Sequence, residues 1–421
     1  MRTGWRLKKL SEIATLSLGK MLDKAKNKGD PKPYLRNFNV RWFEFDLSDV
    51  QEMRFQKEEQ DRYSVVKGDL VICEGGYPGR AAIWDMDESV YFQKALHRVR
   101  FHEPARAKWV LYYLHMKDLD GSLRSHFNGT GIQHFTGEAL SQFTIPLPPL
   151  GEQGRIVAIL DEAFEGIATV KANADKNIQN AREIFESHLQ SVFAKRGKSW
   201  KQKTLEEIAT TFGRGKSKHR PRNAPHLYGG KYPFVQTGDI RNADHIITEY
   251  TQTYSEAGLA QSKLWPKGTI CITIAANIAE TAILGFDACF PDSVIGIVAN
   301  PNEADVGFIE YLLQSFKVRI QAMGKGSAQA NINMGTFENE RFPFPCVDEQ
   351  HRIVAELDAL NAETQRLITV YERKRVTLDG LKRSLLHSAF RGELTVREIT
   401  KRVEAAARAS PKPLPNTQYY S

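Results

Sequence analysis

The sequence predicts a mixed α/β (α+β) protein: two similar domains separated by two long antiparallel helices, with internal pseudo-two-fold symmetry. Three observations lead there. Glu152–Glu162 (EQGRIVAILDE) and Glu349–Ala359 (EQHRIVAELDA) agree at eight of eleven positions, 197 residues apart. Trp5–Thr15 (WRLKKLSEIAT) and Trp200–Thr210 (WKQKTLEEIAT) agree at seven of eleven, 195 residues apart. Each copy of the first motif also opens a long segment whose apolar residues recur at alternating steps of four and three.

In order along the chain, residues 1–150 form a first domain and 151–197 a long helix; 198–346 form a second domain and 347–394 a second long helix. Residues 395–421 form a partly disordered tail, with a short helix over Val396–Ala409. In the domains, KPYLRNFNV (from Lys32) parallels KYPFVQTGDI (from Lys231), and KGDLVI (from Lys67) parallels KGTICI (from Lys267). Each reads as a strand joined to a turn. Short helices are expected over Trp109–Lys117 and Gly307–Gln321. Proline-rich FTIPLPPLGEQ and RFPFPCVDEQ force an extended approach, and a helix starts near Glu152 or Asp348. One stripe then runs from Ile156 through Leu160, Ala163, Ile167, Val170, Ala174, Ile178, Ala181 and Phe185 to Val192. The other runs from Ile353 through Leu357, Leu360, Leu367, Tyr371, Leu378 and Leu381 to Leu385. Such stripes need a partner helix. A duplicated unit closing like a fused homodimer sets the two antiparallel, as rods of roughly 60 Å at about 1.5 Å per residue.

With 421 residues, there is chain enough for two or three cores. The apolar run Ile270–Phe286 is interrupted by Thr273, Asn277 and Glu280, so no membrane span is expected. MRTGWRLKKL lacks a signal core, which points to the cytoplasm. Cys73, Cys271, Cys289 and Cys346 are scattered, and neither disulfides nor a metal site is expected. A net charge of +8 suits a polyanion partner.

The charge is concentrated in one stretch. GRGKSKHRPRN supplies Arg214, Lys216, Ser217, Lys218, His219, Arg220 and Arg222 without an acid, so it reads as a mobile, exposed loop suited to phosphates and guanine edges. The first domain has a weaker version in Lys20, Lys24, Lys26, Lys28 and Arg36. Tyr77 and Arg80 lie among glycines in EGGYPGRAAIW, and Asn277 lies in the corresponding AANIAETAIL. Gln133 and His134 (GTGIQHFT) and Asn331 and Asn333 (GSAQANIN) offer groups of the type that read base edges, although turn roles suit the asparagines equally. Gln236 and Thr237 in YPFVQTGDI complete the set. Catalytic signatures are missing: GKS lacks the glycine six residues upstream that a phosphate-cradling loop requires, that position being Thr210. There is no GxGxxG after a strand and no HExxH.

The domain–helix–domain–helix order, with PLPPLGEQGRIVAILDE, PFPCVDEQHRIVAELDA and LLHSAFRGELT, resembles the specificity (S) subunit of Type I restriction-modification systems, over residues 1 to about 395. The resemblance implies a non-catalytic chain with two target recognition domains. Each reads half of a split, asymmetric site in double-stranded DNA, and the helices set the unread gap. It implies two adenine methyltransferase (M) subunits docked on the helices, and restriction (R) subunits joining the assembled complex. S-adenosylmethionine, ATP and Mg²⁺ would then belong to partners. Arg155, Lys171, Lys176, Arg352, Arg366 and Arg373 on the helix faces are candidate docking charges. The alternative is a stand-alone DNA methyltransferase or nuclease with an unrecognised site.

Overall fold

The structure is a computed structural model and describes residues 4–23, 25–195, 197, 199–219, 221, 223–275, 277–324 and 332–394. Lys24, Arg220, Arg222, Asn331 and the expected tail helix lie outside the described residues. The chain forms two compact units: unit 1 comprises Met1–Asp175 with Val370–Ser421, and unit 2 comprises Lys176–Thr369.

The units repeat one set of sheets. In unit 1, Arg6–Lys9 pairs with Thr144–Leu147; one four-stranded sheet runs Ala14–Leu18, Leu96–Phe101, Leu70–Cys73, Ala81–Ile83, and another Gln51–Phe55, Asp30–Leu35, Val90–Phe92, Ser64–Val65. In unit 2, Lys201–Lys203 pairs with Phe342–Phe344. Its larger sheet runs Ala209–Arg214, Val294–Ala299, Ile270–Thr273, Thr281–Leu284, with Ile246–Ile247 added at the edge. Its second sheet runs Gln252–Tyr254, Tyr228–Phe234, Ala288–Cys289, Leu264–Trp265. The expected KG turns precede Leu70–Cys73 and Ile270–Thr273, with Gly68 and Gly268 at φ +92° and +84°, where glycine is the residue without a steric cost. Cys73 and Cys271 are buried strand residues.

Four helices position the rest: α1 (Arg106–Leu119), α2 (Leu150–Ala194), α3 (Val306–Ser315) and α4 (Val347–Arg391). The helix expected over Gly307–Gln321 breaks at Phe316, which packs against Phe342, and resumes over Lys317–Gly324. Within unit 1 the long helices run antiparallel: Lys171 pairs with Asp379 at 2.7 Å, and Asp175, further along α2, pairs with Arg375, earlier in α4, at 3.0 Å. In unit 2, His188 of α2 meets Glu356 of α4 at 2.7 Å. Ile156, Leu160, Ile167, Ala174, Ile178 and Ala181 are buried as the spacing predicts. Past Ala181 the buried residues are Leu189 and Phe193, because steps of four replace the heptad's alternation. In α4, heptad steps from Leu357 reach Thr364, Leu378 and Leu385, so Thr364 and Ile368 are buried where Leu360 and Leu367 were expected.

The repeated motif does the same work twice. Gln153 Nε2 donates to Pro148 O (2.7 Å) and Gln350 Nε2 to Pro345 O (3.0 Å), tying each helix start to its proline approach. Leu160 and Leu357 enter the cores. Asp161 accepts from Tyr112 Oη on α1 (2.5 Å), and Asp358 from Tyr311 Oη on α3 (2.7 Å). Each tyrosine ring is covered by a non-glycine residue in the left-handed region, Phe43 (φ +70°) in unit 1 and His245 (φ +71°) in unit 2. Residues held there need surrounding contacts to keep them in place.

His245 stacks on Tyr311, and its Nδ1 lies 2.6 Å from the buried Glu310. Burial opposes its protonation, but the hydrogen bond and charge of Glu310 outweigh burial and raise its pKa above the usual value. A raised folded-state pKa contributes stability that is fully present below the unfolded value, near 6.5, and is lost as pH rises through the folded value. Calorimetry is therefore expected to show unit 2 losing thermal stability as pH rises above about 6.5, with the loss reduced in His245→Gln. An unchanged pH profile in the variant contradicts this assignment.

Candidate nucleic-acid interface

Four strands of each unit finish side by side. In unit 1, Gln93 N donates to Leu35 O (3.1 Å), Lys94 N to Lys20 O (2.7 Å), Glu74 N to Ala95 O (2.8 Å) and Phe135 N to Glu74 O (2.8 Å). These bonds gather the carboxyl ends of Ala14–Leu18, Asp30–Leu35, Leu70–Cys73 and Val90–Phe92, with the 128–135 turn beside them. In unit 2, Val235 N donates to Cys289 O (2.9 Å), Gly215 N to Val294 O (2.9 Å) and Ile274 N to Ser293 O (3.0 Å), which gathers the corresponding ends. A Cβ on Gly19 would lie 2.1 Å from Gln93 O, and one on Gly215 2.3 Å from Phe290 O, so only glycine permits either approach. Gly19–Lys20 and Gly215–Lys216 thus occupy matching places.

The two lysines differ. Lys20 was expected to face DNA but is buried, its Nζ on Glu59 Oε2 (2.5 Å) and Arg54 O (2.9 Å). A buried cation needs such partners, because desolvation disfavours it otherwise. Arg36 is likewise drawn onto Asp49 (2.7 Å). Arg80 stacks on Tyr77 (5.2 Å) and donates to Asn37 O (2.9 Å), so it braces the loop from within. Lys26 is exposed with a loose contact to Asp23 (3.7 Å), and Lys28, Gln133 and His134 are exposed. Tyr77 is exposed, its Oη 3.2 Å from Asp118.

In unit 2 the described part of the basic stretch, residues 214–219, is docked as extended chain where a mobile loop was expected. Gly215 and Ser217 face inward, while Arg214, Lys216 and Lys218 face outward. Ser262 Oγ donates to Lys216 O (2.8 Å), and His219 N donates to Gln261 Oε1 (3.0 Å). The alternation follows from extended backbone, in which successive side chains point to opposite faces. Arg214 is fixed by donating to Asp292 O. With Asp292, Ser293 and Asn333 it borders a hollow of about 290 Å³. Asn333 caps a short helix, accepting from Thr336 N (3.2 Å), and Asn277 shapes a turn through its backbone, so both take the turn roles. Gln236 and Thr237 are half-buried at the start of the Thr237–Asn242 helix.

Three contributors escaped sequence reading. Lys263 lies 3.7 Å over the Trp265 ring; burial and the nearby charge of Lys216 lower its pKa, so the two lysines are neighbours. Asn37 Nδ2 approaches Gly75 O (3.4 Å), joining two of the converging segments. Exposed Arg124 acts electrostatically on Tyr77. None lies in a charge run, and their neighbours are distant in sequence. Of the helix-face cations, Arg155, Lys176, Arg352 and Arg373 are exposed. Lys171 is instead engaged by Asp379, and Arg366 is forked onto Glu363. Among the described residues, no cluster of three or more His, Cys, Asp or Glu could hold a metal, and no helix is long and apolar enough to cross a membrane.

Fold and sequence define a tandemly duplicated α/β protein with paired long helices. The family model described as "Type I restriction modification DNA specificity domain" matches residues 2–179 and again 197–376, and the chain belongs to this family. It is 24% identical to the putative MjaX specificity subunit of Methanocaldococcus jannaschii over 61% of each chain, so that alignment spans under two thirds of the relative. It is 22% identical to the EcoKI specificity subunit of Escherichia coli strain K12, over 93% of this chain and 89% of the relative. Its fold matches the HsdS subunit from Thermoanaerobacter tengcongensis with a TM-score of 0.60 (20% identity; 94% of this chain, 98% of that one). It also matches a chain from a study of complex assembly and conformational transition of the type I R-M system, with a TM-score of 0.78 (20% identity; 94% and 99%).

Matching lysines with different surroundings give a direct contrast. Lys20→Ala is expected to lower the melting temperature, since breaking a buried pair costs about 3 kcal/mol. Lys216→Ala is expected to leave melting unchanged and to weaken DNA binding. The reverse pattern in melting and filter-binding measurements contradicts the assignment.

Proposed function

We propose that the chain is the sequence-specific DNA-recognition subunit of a Type I restriction-modification complex. It reads a bipartite, asymmetric site, one half per unit. The observation that carries this is the doubled family match together with the doubled set of converging strand ends. In unit 2, Lys216, Lys218 and Lys263 supply phosphate contacts, and Arg214 and Asn333 border the hollow open to base edges. In unit 1, Lys28, Tyr77, Gln133, His134 and Arg124 take the corresponding part. Lys20, Arg36 and Arg80 position that surface and do not touch DNA.

On this reading the chain does no chemistry. Two methyltransferase subunits bring S-adenosylmethionine and methylate adenine; restriction subunits bring ATP-driven cleavage with Mg²⁺. Exposed Arg155, Lys176, Arg352 and Arg373 are the charges offered to those partners, and the complex works in the cytoplasm, where its DNA is. The long helices set the unread gap. The comparisons match specificity subunits and give no support to a stand-alone methyltransferase or nuclease.

Methylation mapping in a host that expresses this chain with its methyltransferase partner is expected to give one split motif. A continuous motif contradicts the reading. Lys216→Ala with Lys218→Ala should reduce the slope of log affinity against log salt by about 2, since each phosphate contact contributes about 0.9, and should weaken only one half-site. Loss of both halves together contradicts separable readers.

A further inference from the structure

We infer that Phe38 is a wedge that inserts between two stacked bases of the half-site read by unit 1, so that this unit selects its DNA partly by how readily a base step opens. This rests on the DNA-reading role proposed above. Phe38 lies on the Asn37–Asn39 turn at the carboxyl end of Asp30–Leu35, among the converging ends. The turn is rigidly held. Arg36 N donates to Asn39 Oδ1 (2.9 Å), and Asn39 Nδ2 donates to Asp46 O (2.9 Å) and Asp49 O (3.0 Å). Yet the Phe38 side chain is 67% exposed.

The surroundings favour an apolar mode of contact. The nearby Lys20 and Arg36 are neutralised by Glu59 and Asp49, and Arg80 is turned to a backbone carbonyl, so phosphate contacts in this unit fall to cations such as Lys28 and Arg124 on other segments. Met21, Tyr77 and Ile132, on the neighbouring segments, are exposed as well. Unit 2 builds the matching turn with the same device, Gln236 N donating to Asp239 Oδ2 (2.8 Å). The place of Phe38 there is Gly238, with open space beside it. One unit therefore presents a ring where the other presents nothing, and the second compensates with outward lysines. A thymine methyl would cover only part of so exposed a ring, whereas insertion covers both faces. Apolar wedges of this kind unstack a step and bend the duplex, most readily at pyrimidine–purine steps.

The test uses the full chain with its methyltransferase partner and duplexes carrying the mapped motif, with 2-aminopurine placed at successive steps of the half-site read by unit 1. Binding is expected to raise fluorescence at one step. Phe38→Ala should abolish that rise and weaken binding about 10-fold or more, as loss of one stacking contact implies. The melting temperature, the salt slope and discrimination at the other half-site should stay unchanged. Phe38→Leu should retain most of the rise and the affinity. The inference is overturned if no step responds, if Phe38→Ala behaves as the parent, or if replacing thymine by uracil reproduces the loss seen with Phe38→Ala. Failure of the parent complex to bind the split duplex would instead overturn the recognition reading itself.

Discussion

At Gly19 and Gly215 the backbone approaches a neighbouring strand's carbonyl so closely that no Cβ fits. The gathered strand ends of both units depend on that approach. It brings Gly19 to the Gln93–Lys94 turn and Gly215 to Phe290–Pro291, and the neighbouring backbone hydrogen bonds then fix four strand ends side by side. Side chains from distant stretches become one surface, and what each then does depends on its neighbours there. Lys20 turns inward onto Glu59, and Lys216, at the matching place, turns outward beside Lys263.

The second constraint is shared between the halves of the sequence. Leu378, Leu385, Leu386 and Phe390 of α4 complete the core that Trp5, Trp109 and Ile156 begin, while Leu189 and Phe193 of α2 complete the core around Phe308 and Phe344. Each unit therefore needs a helix segment contributed by the other half of the chain. The repeated motif supplies the attachments: its glutamine holds the proline approach, its leucine fills the core and its aspartate takes the tyrosine hydroxyl. Those three polar and apolar roles explain why a stretch of eleven residues is repeated so closely while the loops are not.

Much of this was legible in the sequence because it is local or periodic. The duplication, both long helices, the broad course of the seam and the turns before Leu70 and Ile270 follow from spacing and turn chemistry alone. The seam's drift toward Leu189 and Ile368 did not, because a local change of step is decided by packing. The site was read less well. Lys20, Arg36 and Arg80 look like free cations in a sequence, and only the fold brings Glu59, Asp49 and the Asn37 carbonyl to them. The basic stretch looked mobile because its composition excludes a helix, yet composition does not exclude extended chain docked on Gln261 and Ser262. Lys263, alone between Ser262 and Leu264, carried no signal at all.

On the proposed function, DNA meets the gathered strand ends of both units. Hydrogen exchange of the chain in complex with its methyltransferase partner, with and without a duplex carrying the split motif, tests this most directly. New protection is expected over 36–38, 74–80 and 128–135 in unit 1 and over 214–219 and 274–277 in unit 2, with no new protection at the exposed α2 and α4 positions Arg155, Lys176, Arg352 and Arg373. Protection on those helices alone, or in a single unit, would contradict it.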